Sequence, residues 1–155
     1  MNTRPCSPDK QGGVMLLEAL IAILIFSLGI LAIVGLQAAA IRNSGDAKFR
    51  ADASLLANEL IAQMWVSDRT PAALQTKFQG GQGTNGSAYT AWLPDVYTAL
   101  PGVSGVAVNQ PTVAVSSVPN SSSSLVTITL FWTTQSQPAL THTLAHKYVA
   151  VAQIF

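Results

Sequence analysis

Hydrophobic and polar positions divide the chain into regimes of different period. From Val14 to Leu36 nearly every side chain is apolar and Glu18 is the only ionisable one. As a helix this run reaches roughly 35 Å at 1.5 Å per residue, enough for a hydrocarbon core of about 30 Å. The pattern therefore predicts a membrane-spanning helix over 14–36. A carboxylate in such a helix costs on the order of 2.5–3.5 kcal/mol on insertion scales, so it persists where it has a partner or a task. One such task is to receive a positive charge from another chain.

Beyond Leu36 the pattern becomes amphipathic. Phe49, Ala53, Leu56, Leu60 and Met64 recur every three or four residues, as one buried helix face requires. Arg42, Asp46, Arg50, Asp52 and Glu59 fall on the other face, where Asp46 with Arg50 and Lys48 with Asp52 have the spacing of helical ion pairs. Asn43-Ser44-Gly45-Asp46 are poor helix formers and mark a kink or soft joint. The helix is expected to continue over 37–67 and to stop near Ser67, where turn formers precede Pro71.

The stretch 68–102 reads as a connecting region with one short helix. Pro71 to Ser87 contains the glycine-rich run Gln79-Gly80-Gly81-Gln82-Gly83-Thr84-Asn85-Gly86, which lacks the Lys-Ser/Thr and the strand-to-helix setting of a phosphate loop. It is expected to be a plain flexible loop. Trp92, Val96 and Leu100 have helical spacing, which predicts a helix over Tyr89 to Leu100 with Pro94 in its first turn. Its aromatics are expected in the core.

From 103 to 155 the period shifts toward two. Val106 and Val108, Val113 and Val115, Val126 to Trp132, and Leu144 to Ile154 alternate between turn-forming segments, which predicts three or four antiparallel strands. A long helix on such a sheet is an α+β fold.

Composition changes this picture little. Hydrophobic residues make up 49% of the 155 and charged ones only 10%, an excess that the spanning helix explains, leaving one small domain. The net charge of +1 includes no basic cluster of the kind that draws in nucleic acid, so no nucleic-acid partner is expected. Cys6, the single cysteine, precedes the apolar run, so the rest of the chain can form no disulfide of its own. Met1 to Gly13 are polar and offer nothing to pack. Nor does the run look like a secretory signal, because it is too long and flows into a helical pattern without a clear cleavage site.

Candidate chemistry is sparse. His142 and His146 have no cysteine or nearby carboxylate to complete a metal set, and they read as surface or edge-strand imidazoles. There is no G-x-S-x-G elbow and no paired-carboxylate signature, so neither an enzyme nor a cofactor is expected. Asn120-Ser121-Ser122 fits a glycan acceptor pattern that serine runs produce by chance.

A short polar leader ending in Gly13, followed by Val14-Met15-Leu16-Leu17-Glu18, resembles the class III signal of type IV prepilins, in which a Glu stands fifth after the Gly. The wider pattern, L-L-E-A-L-I-A-I-L-I-F-S-L-G-I-L, then G-L-Q-A-A-A-I and A-N-E-L-I-A-Q-M-W, is most similar to the minor pilins of the PilV family. The likeness covers about the first 65 residues well and the remainder in general character. It implies a leader of 1–13, cleavage between Gly13 and Val14 by an inner-membrane prepilin peptidase, N-methylation of Val14, and a Glu18 that neutralises the terminal amine of a neighbouring subunit. It also implies the pilin-like version of the α+β fold, a single-pass inner-membrane state with a cytoplasmic N-terminus, and later a place at or near the tip of a surface pilus. The implied partners are other minor pilins, the major pilin and a tip adhesin. Two positions depart from the family: Val14 stands where members usually have Phe, and Gly35 where many major pilins have Pro. A minor pseudopilin of a type II secretion system shares the same signal and is the alternative.

Overall fold

In a computed structural model of the chain, residues 12–81, 83–103, 107–133 and 146–155 are described. The contacts divide the chain into two units, Met1–Asn43 and Ser44–Phe155. Helix α1, Gly12–Trp65, runs through the boundary. It is helical without a break across Asn43-Ser44-Gly45-Asp46, although the two units divide within that tetrapeptide.

In the first unit α1 is exposed along its length. None of the large apolar residues from Val14 to Leu36 is buried; Val14 is 71% and Leu36 72% exposed. Such a surface is stable in water only when something apolar covers it. This is the one helix, among the described residues, that is long and apolar enough to cross a membrane.

The second unit folds around the far end of α1. Ala53, Leu56, Ala57, Leu60 and Met64 are buried on one face, and Phe49 is partly buried beside them, as the three-and-four spacing requires. Helix α2, Pro71–Phe78, begins on the proline that closes α1. Its missing N–H costs nothing in a first turn, so Pro71 ends one helix and opens the next. The expected connecting region therefore contains a second short helix, which buries Leu74 and Phe78. Just before it, Oδ1 of Asp68 accepts the N–H of Thr70 at 3.0 Å, which lowers the Asp68 pKa.

Helix α3, Ser87–Ala99, buries Tyr89, Trp92 and Val96. Pro94 lies in its interior, not in its first turn. The carbonyl of Thr90 thereby loses its donor, but Thr90 and Pro94 are both exposed and water can serve it. The indole Nε1 of Trp92 donates to the carbonyl of Leu56 at 3.2 Å, tying α3 to α1.

Three antiparallel strands form one sheet in the order β1 (Thr112–Ser117), β2 (Ser124–Trp132) and β3 (His146–Ile154). The strand expected around Val106 and Val108 is not formed: Ala107–Asn109 is a turn of 3₁₀ helix, and Val106 lies outside the described residues. The expected start of the last strand at Leu144 also lies outside them. Val113, Val115, Val126, Ile128, Leu130 and Trp132 face the core, and their alternating neighbours are more exposed, as a sheet with one covered face requires. The sheet thus packs against the second half of α1, an α+β arrangement, and Tyr148 of β3 reaches Ser54 of α1 at 3.2 Å.

Candidate functional site

Gly13, Val14 and Glu18 lie in the first two turns of α1. Val14 and Glu18, four residues apart, share a face with Leu17, Ile21, Ala22 and Ile25. No cation pairs with Glu18 among the described residues, and its surroundings on this face are apolar. A side chain placed on Gly13 would meet nothing within 4 Å. The fold of this chain therefore makes no steric demand for glycine there, and a glycine costs a helix about 1 kcal/mol relative to alanine. Chemically the face offers one acid, four residues beyond Val14, in an apolar surface that lipid or other apolar helices can cover.

The other residues singled out in the sequence fall elsewhere. His146 opens β3, at the edge of the sheet; its ring stacks on buried Trp132 with centroids 5.7 Å apart. Its Nε2 lies 3.9 Å from Oδ1 of Asp46, so the described partner of Asp46 is this imidazole and not Arg50. Asp46 is accordingly half-buried where a solvated face was expected. His142 lies outside the described residues. No group of three potential metal ligands occurs among the described residues.

The glycine run, expected to be a plain flexible loop, is held at two points: Gly80 and Gly86 are buried, while residues 83–85 are exposed. Gly80 exchanges both backbone hydrogen bonds with Val113, at 3.0 and 3.1 Å. The N–H of Gly81 donates to Oδ1 of Asn85, and that of Gly86 to the carbonyl of Gln79. These donors are spent on the chain itself, so they cannot cradle a phosphate. Asn120 stands in the left-handed region (φ 59°) at the exposed β1–β2 turn.

Sequence reasoning missed the attachment of Gly80 to β1 and the Asp46–His146 contact. Both join residues far apart in the chain, so no local period announces them. No family model, curated protein or solved structure matches the chain.

Proposed function

We propose that this chain is a minor pilin of the type IV pilus, held in the inner membrane by the first half of α1, cut between Gly13 and Val14, and then incorporated at or near the pilus tip. The observation that carries the reading is a membrane-length, exposed apolar run over 14–36 of α1 whose only acid, Glu18, stands fifth after Gly13. After the cut, Val14 provides the amine that is N-methylated, and Glu18 takes up the terminal amine of a neighbouring subunit. In an apolar bundle each charge is costly alone, and pairing offsets that cost. The work of the protein is then structural: the apolar helix packs among other pilin helices, and the unit from Ser44 meets the partners, namely other minor pilins, the major pilin and a tip adhesin.

The test is the intact mass and N-terminal sequence of the chain from membranes and from sheared surface material, with and without the host's prepilin peptidase. A peptidase-dependent start at Val14 in the sheared fraction is the expected result. A start at Met1, confined to membranes and indifferent to the peptidase, would reduce the helix to a plain anchor. A pseudopilin of a type II secretion system would show the same cut, with loss of secreted enzymes and not of surface fibres on deletion.

A further inference from the structure

Asn85 and Gly86 form the one Asn-Gly pair in the chain. In an open chain such a pair is labile, asparagine being among the thermally fragile residues. The backbone nitrogen of the glycine, with no side chain beside it to hinder the approach, attacks Cγ of the asparagine. A C–N bond forms, the side-chain amide leaves as ammonia carrying the proton of that nitrogen, and a five-membered succinimide results. Water, the only co-reactant, then opens the ring to an aspartate or to isoaspartate, in which the backbone runs through the former side chain.

The fold holds the groups that this reaction needs. The N–H of Gly86 donates to the carbonyl of Gln79 at 2.8 Å, so the nucleophilic nitrogen is engaged. The Gly86 carbonyl accepts from the N–H of Thr90 at 3.0 Å and from its hydroxyl at 2.9 Å, which fixes the residue at the start of α3. Oδ1 of Asn85 accepts the N–H of Gly81 at 2.9 Å, so the side chain that would be attacked is drawn back toward Gly81. Asn85 is exposed to water, while Gly86 is buried. Glycine is also required at 86, since a side chain there would run into the carbonyl of Lys77. The labile pair is thus kept for packing, and the bonds that keep it hold it apart from its own reaction.

We propose that Asn85 is a modification site controlled by the bond between Gln79 and Gly86: it converts to aspartate or isoaspartate in chains where that bond has opened, and is spared where it is made. Gly80, next to Gln79, is bonded to Val113 and packed under the ring of Tyr89, so the same contacts that attach the run to β1 protect the pair. Isoaspartate adds one carbon to the backbone just before Gly86 and displaces its N–H from Gln79. The change is irreversible, and it leaves a covalent record of chains in which this attachment stayed open.

The test uses the full chain in detergent micelles, folded and in denaturant at one pH and temperature, with peptide mapping that tells asparagine, aspartate and isoaspartate at position 85 apart. Asn85 is expected to be the first asparagine to convert in the unfolded chain. In the folded chain it should convert at least about tenfold more slowly, because only the open fraction reacts. Amide exchange at Gly86 is the second readout, since it needs the same bond to break: small additions of denaturant should raise it in parallel with conversion at Asn85. Gly80→Ala, which crowds Tyr89, should raise both rates by at least about fivefold, the factor that about 1 kcal/mol supplies. If that variant does not fold, Thr90→Val, which removes only the hydroxyl bond to Gly86, should raise both rates together. Conversion as fast in the folded as in the unfolded chain would overturn the proposal. So would conversion indifferent to exchange at Gly86, or earlier conversion at another asparagine of the unfolded chain.

Discussion

The ring of Tyr89 occupies the space that a side chain on Gly80 would need. Its hydroxyl donates to the carbonyl of Pro111 at 2.7 Å, so one side chain from α3 fixes both the glycine loop and the chain leading into β1. Gly80→Ala would therefore drive a methyl group into a buried aromatic ring and away from Val113. A loss of about 1–3 kcal/mol, typical of overpacking, is expected in chemical unfolding of the full chain in micelles followed by tryptophan fluorescence. Gly83→Ala gives the comparison: its side chain would meet nothing, so only the left-handed backbone (φ 92°) is strained.

Burial of Tyr89, and secondarily its neighbour Tyr97, push the Tyr89 phenol up to about 12. The sign follows from which state holds the proton. An unfolded tyrosine ionises near pH 10, so between about pH 10 and 12 the unfolded chain releases a proton that the folded chain keeps. Stability from this group is complete below about pH 10 and falls as pH rises toward 12, by about 2–3 kcal/mol. Tyr89→Phe should flatten that part of the pH–stability curve. An unchanged alkaline slope in the variant would assign the titration to another group.

Burial along the second half of α1 sets a contrast between neighbours in sequence. Leu60 is fully buried and Leu55 is 68% exposed, although both lie in one helix. Leu60→Ala should cost about 2–5 kcal/mol through the cavity it leaves, and Leu55→Ala less than about 0.5 kcal/mol. Paired denaturation curves would check the difference, and equal losses would mean that α1 presents another face to the sheet.

That face was legible in the sequence because helical periodicity is local: Ala53, Leu56, Leu60 and Met64 announce it within twelve positions. The alternation of Val126 to Trp132 announced β2 in the same way. Helix α2 was not legible, since Pro71 reads as a breaker when only the preceding helix is considered, and its eight residues bury only Leu74 and Phe78. Val106 and Val108 had strand spacing, yet Ala107–Asn109 turns, and Asn109 uses its side-chain amide to reach the carbonyl of Gly102 at 2.9 Å. A tertiary hydrogen bond there outweighed a two-residue pattern. Of the candidate site, the spacing of Gly13, Val14 and Glu18 could be read directly, but the closing of the β1 edge could not, because it depends on the long-range bonds between Val113 and Gly80.

The role proposed for Glu18 makes a prediction that separates processing from assembly. Side chains on a helix lean toward its N-terminus, so the carboxylate of Glu18 rises along the face that carries Val14. There it is level with the turn that becomes the chain terminus on cleavage, and a neighbour displaced along the helix can bring its own amine alongside. Glu18→Gln keeps the shape and removes the charge. The variant is expected to be cut after Gly13 as usual but to fall by at least about tenfold in the sheared surface fraction, since an amine left unpaired among apolar helices carries several kcal/mol of uncompensated charge. Glu18→Asp, one methylene shorter, should recover part of that loss. Full surface recovery of Glu18→Gln would eliminate charge pairing while leaving the pilin reading intact; failure of the cut itself would place Glu18 in recognition by the peptidase instead.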